Sequence, residues 1–205
     1  MMKLSLAQFH SMLEKALDEI QRREEEFSKL DAIAGDGDHG TAIVTAMRIL
    51  VAEAKNASDF ATMFSDMGMG VMLQTSGSTS TLLGAFFMGM GECDPQGDEL
   101  DADGLKSIFA AGLKGVEEQT KAKVGDKTMM DALIPAVQAI EACPSEDIKT
   151  ILEAAAAAAL KGAEATIDMQ AKFGRARNLG EKSKGYPDAG ATSWASIFVS
   201  FAQAY

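Results

Sequence analysis

Residues 30–40 read LDAIAGDGDHG, and this acidic stretch decides how the rest of the chain can fold. It holds three aspartates, three glycines and one of the two histidines of the protein. On both sides of it, over about residues 6–27 and 40–55, apolar residues recur every three to four positions, which is typical of amphipathic helices. The stretch is therefore a polar loop between two helices, and the repetition of this pattern along the chain predicts an all-α fold.

Further segments carry the same helical pattern, so that the chain has eight predicted helices and no convincing strand. Pro135 lies inside one of them and predicts a kink or a later start of the regular helix. A length of 205 residues with 47% hydrophobic content suffices for one sizeable core, so we expect a single domain over residues 1–205. The further helices are predicted at about residues 58–72, 82–91, 104–120, 129–142, 145–173 and 191–204.

The charge and the cysteine content narrow the classes of function. A formal net charge of −11 argues against a protein that binds nucleic acids or anionic membranes, because their phosphates would be repelled. Cys93 and Cys143 lie far apart, and neither has a second cysteine or a histidine at a zinc-ligand spacing, which indicates reduced thiols in a cytoplasmic protein. The first residues contain no apolar signal core and no later apolar run has membrane length, so we expect neither export nor a membrane span.

The three aspartates of the acidic loop, Asp31, Asp36 and Asp38, have no basic residue among them, so their repulsion has to be relieved by a cation, by solvent or by shifted protonation. Mg²⁺ prefers carboxylate oxygens and can bind substrate phosphates at the same time. A dinucleotide-binding loop fits the GxGxxG spacing but lacks a preceding strand, and an EF-hand fails because Thr41 and Met47 occupy its glycine and glutamate positions. From this loop alone, a metal site and a solvated turn that caps the next helix both remain open.

Three more polar loops carry groups that suit anions. Residues 74–81 are rich in serine and threonine and open a helix, whose N-terminal N–H groups and dipole favour phosphate. Residues 121–128 contain Gly-Asp-Lys-Thr but lack the order of a Walker A motif. Residues 174–190 contain four cations and two acids inside an acidic protein, which suggests anion contact. An ordinary capped turn and a solvated mobile loop are the alternatives for the first and the last of these loops.

The order of the four loops predicts that they meet. In an antiparallel bundle, loops separated by an even number of helices lie at the same end, and these loops follow the first, third, fifth and seventh predicted helices. They would form one site with carboxylates for Mg²⁺, N–H groups and hydroxyls for phosphate, and a guanidinium for transition-state charge. These are the groups that phosphoryl transfer needs, although they do not identify the acceptor.

Four ordered motifs resemble the nucleotide-binding L subunit of dihydroxyacetone kinases. They are LDAIAGDGDHGT at residues 30–41, TSGSTSTLLGAFF at 75–87, GDKTMMDALIP at 125–135 and GRARNLGEKSKGYPDAGATS at 174–193. The resemblance extends over the whole chain and implies an eight-helix antiparallel barrel with the nucleotide at one end. It also implies that the three aspartates of the acidic loop ligate paired Mg²⁺ ions.

The resemblance further implies which residues surround ADP or ATP. Arg175 is preferred to Arg177 and Lys182 on this ground alone. His39 would contact phosphate rather than carry it, and the catalytic set would be His39 and Arg175 with the three aspartates. The implied nucleotide contacts are His39, Gly40, Thr41, Ala42, Ser78 and Thr79 along the phosphates, Thr120 and Met129 beside the adenine, and Arg175, Asp188, Ala189 and Gly190 at the remaining edge.

The division of labour in the family implies the function. A histidine of a separate K subunit binds the ketone covalently, so this chain would supply the phosphoryl donor. In members that depend on phosphoenolpyruvate and the phosphotransferase system, ADP stays bound and a phosphohistidine M subunit rephosphorylates it, whereas in others ATP exchanges as a substrate. The length of the chain favours the first arrangement. The second arrangement stays open because the sequence departs from the phosphotransferase branch of the family at Gly37, at Ser78 and Thr79, and at Ala189, where a proline is expected.

The sequence leaves alternatives open for the acceptor of the phosphoryl group and for the activity itself. Related kinases act on other small ketoses and on sugar-like triols, so the substrate is not fixed. A non-catalytic module that senses Mg–ADP and docks on a transcription regulator or a kinase would use the same pocket. A solo Mg-dependent phosphohydrolase would turn over nucleotide without partners.

Overall fold

The computed structural model describes residues 3–205, which fold into a ring of α-helices. The all-α prediction is confirmed, with nine α-helices in this part of the chain instead of eight. Met1 and Met2 lie outside the described residues, and so does the part of the expectation about a signal core that concerns them. The helices are α1 Leu6–Arg22, α2 Glu24–Ala32, α3 His39–Ala54, α4 Phe60–Gln74, α5 Ser78–Glu92, α6 Ala102–Gln119, α7 Met130–Ala142, α8 Ile148–Ala165 and α9 Ala189–Ala204.

The additional helix arises at Arg23, where the first predicted helix divides into α1 and α2. The backbone of Arg23 has φ −103° and ψ 9°, and its guanidinium donates to Ser196 Oγ of α9 at 2.6 Å and to Glu26 Oε2 at 2.8 Å. Because α3 packs along both α1 and α2, the two pieces together fill one position in the ring. α2 continues to Ala32, so the start of the acidic stretch is helical and Asp31 lies in the last turn of α2.

Side-chain caps fix many of the helix starts. Ser5 and Gln8 form a capping box at α1. The carboxylates that cap α4, α6, α8 and α9 each accept a hydrogen bond from the backbone N–H three residues later. One of these caps moves the start of α8 from the predicted residue 145 to Ile148, and α8 ends at Ala165 instead of near residue 173. The capping aspartates are Asp59, Asp101, Asp147 and Asp188.

Short 3₁₀ turns, at Thr166–Asp168 and Arg175–Ser183, order the long segment between α8 and α9. Ser183 Oγ accepts from Ala171 N at 2.9 Å and donates to Gly180 O at 2.6 Å, so this hydroxyl ties two limbs of the segment together. These bonds give part of the segment a folded structure, which the sequence alone did not predict.

The helices close into a barrel around one apolar core. From α3 onward each helix packs against the next in chain order, α1 packs against α3, and α9 packs against α1. Aromatic rings fill the centre, where Phe86 of α5 meets Trp194 of α9 edge-on with ring centroids 5.1 Å apart. Full burial of one such side chain contributes about 1.5–3 kcal/mol to the free energy of unfolding.

Small residues let neighbouring helices come close. A Cβ on Gly115 of α6 would lie 2.6 Å from Ala85 O of α5. Pro135 lies inside α7 without delaying its start, and because proline has no N–H it leaves the Asp131 carbonyl without its intrahelical donor. Gly162 of α8 lies against that carbonyl, and a Cβ there would be 1.9 Å from Asp131 O.

The four predicted polar loops lie at one end of the barrel, where α2, α4, α6 and α8 end and α3, α5, α7 and α9 begin. At the opposite end, β1 Leu4–Ser5 pairs antiparallel with β2 Glu99–Leu100, and this short pair corrects the expectation that the chain has no strand. It forms because the segments before α1 and α6 lie side by side. Among residues 3–205, no helix combines the length and apolarity that a membrane crossing requires, and Cys93 and Cys143 are free.

Candidate functional site

A cavity of about 500 Å³ opens at the loop end of the barrel. Its walls come from the α2–α3, α4–α5, α6–α7 and α8–α9 connections, which is the convergence that the helix order predicts. The predicted site residues on its walls are Asp31, Asp36, Asp38, His39, Ala42, Ser78, Thr79, Thr120, Met129, Arg175, Asp188, Ala189 and Gly190.

Two predicted site residues, Gly40 and Thr41, do not line the cavity. A Cβ on Gly40 would lie 2.1 Å from Glu24 O and 2.4 Å from Ser28 Oγ, so Gly40 faces α2. Thr41 is exposed, and its hydroxyl donates to Glu24 Oε1 at 3.1 Å. Their backbone N–H groups belong to the first turn of α3, which has no intrahelical acceptors for them. Gly40 thus has a packing role, whatever its backbone binds.

The three aspartates of the acidic loop converge on one side of the cavity. One carboxylate oxygen from each of Asp31, Asp36 and Asp38 lies within 4.8 Å of the other two. Asp31 Oδ2 accepts from Gly37 N at 2.8 Å, and Gly37 has a φ of +78°, which glycine adopts without strain. At Gly35 a Cβ would lie 2.5 Å from Asp31 Oδ1. The two glycines therefore let the loop fold back over Asp31.

The negative charge of this aspartate cluster is balanced on one side by Arg175. Its Nη1 lies 2.5 Å from Asp36 Oδ2, and this hydrogen bond lowers the pKa of Asp36. Burial, followed by the charges of Asp36 and Asp31, raises the pKa of Asp38. Hard carboxylate oxygens that repel one another at this spacing suit a divalent cation, so the donor set fits Mg²⁺.

His39, which is 8% exposed, links three helices beneath the cavity. Its Nδ1 lies 3.0 Å from Thr79 Oγ1 of α5, and its Nε2 lies 2.9 Å from Ser193 Oγ of α9. A carbonyl can only accept, so the Ser193 hydroxyl donates its proton to Gly190 O at 3.0 Å. Ser193 Oγ can then only accept towards His39, so Nε2 carries the proton of that hydrogen bond. In this tautomer Nδ1 accepts the hydroxyl proton of Thr79.

Burial lowers the pKa of His39 to about 4, so the ring is neutral at pH 7. Because both ring nitrogens have hydrogen-bond partners, a phosphate contact through the ring would require one of these bonds to break. The predicted contact between His39 and phosphate stays a prediction, and the observed contacts make His39 a tie between α3, α5 and α9.

Four helix N-termini meet the cavity, and His39 ties together three of them, those of α3, α5 and α9. Gly77, with a φ of +94°, turns the chain into α5, whose first residues are Ser78 and Thr79. Asp188 caps α9 by accepting from Ala191 N at 2.8 Å. First-turn N–H groups and the positive ends of the helix dipoles favour anions, so this side of the cavity suits phosphate.

Part of the cavity wall is apolar, and its side chains come from the α6–α7 and α8–α9 connections and from the N-terminal parts of α7 and α9. Thr120 Oγ1 accepts from Ala122 N at 3.2 Å at the end of α6, which fixes the turn there. An apolar wall beside a phosphate-binding edge suits a planar ring such as a purine. The apolar side chains on it are Ala122, Met129, Met130, Phe173 and Trp194.

Three polar residues at or beside the cavity, Lys127, Asp131 and Tyr186, received no role from the sequence. Asp131 accepts from Gly125 N at 2.6 Å and from Thr128 N at 2.8 Å, so it folds the α6–α7 loop. Lys127 and Tyr186 line the cavity and contact each other. The only hint of them in the local sequence is the polar Gly-Asp-Lys-Thr segment between two apolar helices. That segment does not reveal that its lysine is buried.

The carboxyl of Asp188 faces the same group of residues. Burial raises the pKa of Asp188 to about 6, against the lowering effect of the α9 backbone N–H groups and of Lys127. Burial also lowers the pKa of Lys127, while Asp188, Asp131 and Asp168 raise it. This second cluster therefore combines the buried Lys127 with several acids beside the cavity.

Comparison with known proteins yields consistent matches. The model of the DAK2 domain family matches residues 33–203. The ADP-binding subunit DhaL of the PEP-dependent dihydroxyacetone kinase of Escherichia coli K12 is 33% identical over 196 residues, which cover 94% of this chain and 93% of that subunit. The D-erythrulose kinase of Mycolicibacterium smegmatis is 36% identical over 197 residues, which cover 91% of this chain and 33% of that kinase.

The fold also matches a solved structure. The crystal structure of the dihydroxyacetone kinase from C. freundii in complex with AMP-PNP and Mg²⁺ aligns with a TM-score of 0.72 at 27% identity. The alignment covers 100% of this chain and 35% of that one. The barrel thus corresponds to about a third of that longer kinase.

Proposed function

Because the chain belongs to the DAK2 domain family, we propose that it is the nucleotide-binding, phosphoryl-donor subunit of a dihydroxyacetone-type kinase. The resemblance that the four motifs carry is confirmed, and the alignment with the E. coli ADP-binding subunit spans nearly all of both chains. Residues 1–205 would form one nucleotide-binding domain that holds ADP or ATP with Mg²⁺ and works in the cytoplasm. Dihydroxyacetone or a related small ketose would be the acceptor.

The observation that carries this proposal is the meeting of the aspartate cluster with four helix N-termini at one cavity. Carboxylates alone would repel a polyphosphate, and helix N-termini alone would accept many small anions. Together they select an anion that arrives with a divalent cation, which is the chemical description of a magnesium nucleotide.

Asp31, Asp36 and Asp38 would hold the metal, which we propose is a pair of Mg²⁺ ions. Asp31 uses Oδ2 for the N–H of Gly37 and keeps Oδ1 for a cation, which supports this assignment. Bound there, Mg²⁺ would neutralise phosphate charge and polarise the phosphoryl group.

The protein side chains and N–H groups would bind and orient the nucleotide. The first turns of α3 and α5 would hold the phosphates, and the apolar wall would hold the adenine. Arg175, which pairs with Asp36 in this structure, would meet the charge that develops on the phosphoryl group. The proposed contacts are His39, Gly40, Thr41, Ala42, Ser78 and Thr79 for phosphate, Thr120 and Met129 for adenine, and Arg175, Asp188, Ala189 and Gly190 for the edge of the pocket.

In the proposed reaction, a hydroxyl oxygen of the ketose forms a bond to the terminal phosphorus of the nucleotide while the bond from that phosphorus to the ADP oxygen breaks, and the hydroxyl proton is released. The ketose would be held covalently on a histidine of a K-type subunit. A phosphohistidine M-type subunit, supplied from phosphoenolpyruvate, would transfer its phosphoryl group to the bound ADP and so regenerate the donor.

Reconstitution tests this proposal. The chain, combined with K-type and M-type subunits and a phosphoenolpyruvate-driven phosphotransferase mixture, should phosphorylate dihydroxyacetone, and omission of the chain should abolish the transfer. Calorimetry should show ADP binding that requires Mg²⁺. Mg–ADP binding without transfer from any donor to any ketose would contradict the kinase and favour a module that senses nucleotide for a transcription regulator. Nucleotide hydrolysis without partners would favour a phosphohydrolase.

A second candidate is a kinase subunit that exchanges ATP as a substrate. The fold similarity to a kinase solved with AMP-PNP, an analogue of ATP, and Mg²⁺ supports it, and the similarity to a D-erythrulose kinase supports a larger ketose as acceptor. Loss of ADP on dialysis and transfer from ATP without an M subunit would favour this arrangement. ADP that survives dialysis and transfer only from phosphoenolpyruvate would favour the first.

A further inference from the structure

A buried lysine binds the base of the loop that carries Arg175. Lys127, in the α6–α7 loop, is 3% exposed, and its Nζ donates to Thr166 O and to Tyr186 O, each at 2.5 Å. Nζ also lies 4.8 Å from the centroid of the Tyr186 ring. Two of the three ammonium N–H groups are thus used on backbone carbonyls that are 39 and 59 residues away along the chain.

Those two carbonyls stand at the two stems of one loop, residues 167–185. The chain leaves the barrel after Thr166 and returns before Tyr186, and Gly185 N donates to Ile167 O at 2.8 Å, so the stems run side by side. Just beyond them, Asp188 N donates to Thr166 Oγ1 at 2.8 Å. One ammonium group therefore holds both stems where the loop departs from the barrel.

The α6–α7 loop is folded to deliver this ammonium. Lys127 has a φ of +58°, which is unfavourable for a residue with a Cβ and persists only where neighbouring contacts impose it. The carboxylate of Asp131 provides such contacts by binding Gly125 N and Thr128 N, one on each side of Lys127. The backbone is thus held in an unfavourable conformation that places this side chain against both stems.

At its far end the same loop crosses to the aspartate cluster. Gly174, with a φ of +63°, turns the chain so that Arg175 Nη1 reaches Asp36 Oδ2 at 2.5 Å. Between the stems and Arg175, Lys172 gives the loop a further tie to the α6–α7 loop. Its backbone N donates to Asp126 O at 3.1 Å, and its half-exposed side chain donates to Gly125 O at 2.8 Å and to Asp126 Oδ1 at 3.0 Å.

We propose that Lys127 is a positioning residue, which holds both stems of loop 167–185 and thereby sets Arg175 over the aspartate cluster. The consequence for nucleotide rests on the proposed function, whereas the control of the loop by Lys127 does not. An apolar side chain of similar size would fill the same space without burying a charge, so packing alone does not account for a lysine here. Its ammonium is directed at both stems, and Asp131, Asp168 and Asp188 supply compensating negative charge.

Limited digestion with trypsin tests the control of the loop without nucleotide. In Lys127→Met, which keeps the apolar stem and removes the ammonium, we expect cleavage within the loop to be at least about tenfold faster than in wild type, because the loop opens more easily. The matched control is Lys106→Met, which removes a lysine bond to Cys143 O of 2.8 Å at the opposite end of the barrel and should leave this cleavage unchanged. The tryptic sites in the loop are Lys172, Arg175, Arg177, Lys182 and Lys184.

A double-mutant cycle with Arg175→Gln tests the link to the site. Calorimetry would measure Mg–ADP affinity in wild type, both single variants and the double variant. If Lys127 acts through Arg175, each single variant weakens binding by about tenfold, and the double variant is no weaker than Arg175→Gln alone.

Wild-type cleavage rates in a folded Lys127→Met variant would overturn the positioning role. Faster cleavage with additive effects on affinity would overturn the action through Arg175. If Lys127→Met lacks the circular dichroism of wild type, Lys127→Gln takes its place; its neutral amide should still give faster cleavage, and a wild-type rate would contradict the proposal. Absence of Mg–ADP binding by wild type would contradict the proposed function alone, since the tryptic result would stand.

Discussion

At the scale of single residues, the donors that the site can offer a ligand depend on which polar hydrogens already form hydrogen bonds within the protein. Thr79 gives its hydroxyl proton to Nδ1 of His39, so towards the cavity it offers lone pairs and its backbone N–H, but no hydroxyl proton. A phosphate oxygen beside Thr79 would therefore be bound through the N–H at the start of α5. Under the proposed function, the ring of His39 would act on phosphate indirectly, because its hydrogen bonds hold the first turns of α5 and α9 beside that of α3.

Asp36→Asn should weaken Mg–ADP binding at least about tenfold, because the substitution removes the charge of one carboxylate in the cluster and frees Arg175. The side chain is exposed, so the free energy of unfolding without ligand should stay close to that of wild type. Calorimetry and urea titration measure the two quantities. Asp66→Asn, an exposed acid on α4, is the control and should bind like wild type. Unchanged Mg-dependent ADP binding in Asp36→Asn would count against the metal assignment.

His39 should make the protein less stable as the pH falls. Its pKa is about 4 in the folded protein and about 6.5 when unfolded, so between these values the unfolded chain takes up a proton that the folded protein does not. The stability advantage of wild type over His39→Gln should therefore shrink by about 2 kcal/mol between pH 7 and pH 5. Urea titrations at both pH values measure it. Asp188, whose raised pKa has the opposite effect, is present in both proteins and cancels.

Direct titration provides the check on this prediction. Nuclear magnetic resonance of the wild-type ring should show no protonation of His39 above pH 5, since its pKa is about 4. A ring signal of His39 that titrates between pH 6 and 7 would contradict both the burial argument and the assigned tautomer.

The residues that the sequence could predict are those whose partners are near in the chain. Asp31, Asp36 and Asp38 lie within eight positions, and their repulsion is visible without a structure. The partners of Lys127 and His39 are not visible in this way, because Ser193 lies 154 positions from His39. Only the closed barrel brings these residues together.

At the scale of elements, the helices follow from apolar periodicity and their ends from contacts that periodicity does not contain. α1 and α2 look like one helix in sequence because the apolar spacing continues through Arg23. The break coincides with the hydrogen bond from Arg23 to Ser196 of α9, a helix at the other end of the chain. The caps at Asp59 and Asp147 are local, since each carboxylate accepts from the backbone N–H three residues later.

Gly40→Ala should destabilise the packing of α2 against α3. The added Cβ would meet Glu24 O at 2.1 Å, and because backbone cannot move aside cheaply, we expect a loss of about 1–3 kcal/mol in the free energy of unfolding. Gly104→Ala is the matched control, since its Cβ would meet side-chain atoms and no backbone, the nearest being Leu100 Cδ2 at 3.1 Å. That variant should be neutral or more stable by up to about 1 kcal/mol. Equal stability of the two variants in urea titration would contradict the packing role of Gly40.

At the scale of the whole molecule, helix order is the property that assembles the site. Alternation of direction sends the four polar loops to one end, and this could be predicted without any distance. Closure of the ring between α1 and α9 could not be predicted from the sequence, because it depends on how the apolar faces of the helices pack. The same closure fixes the separation between the aspartate cluster and the apolar wall.

Binding of Mg–ADP should protect one end of the barrel only. At a ligand concentration 100 times the Kd the folded protein gains about 2.7 kcal/mol, and local opening near the ligand becomes rarer. Hydrogen exchange should slow in the loops of the cavity, including residues 33–38 and 75–77. Around β1 and β2, amides that exchange by local opening should keep their exchange rates. Protection centred on β1 and β2 would contradict the location of the site.

Residues 3 and 205 both lie at the end away from the cavity, because α1 begins there and α9 ends there. The two helices are in contact, with the ring centroids of Phe9 and Phe201 5.8 Å apart. A circular permutant that joins these ends with a short linker and opens the chain in the 93–98 connection, also at that end, would keep every wall of the cavity. The site needs a closed ring of helices in this order, and any of the connections opposite the cavity can serve as the beginning of the chain.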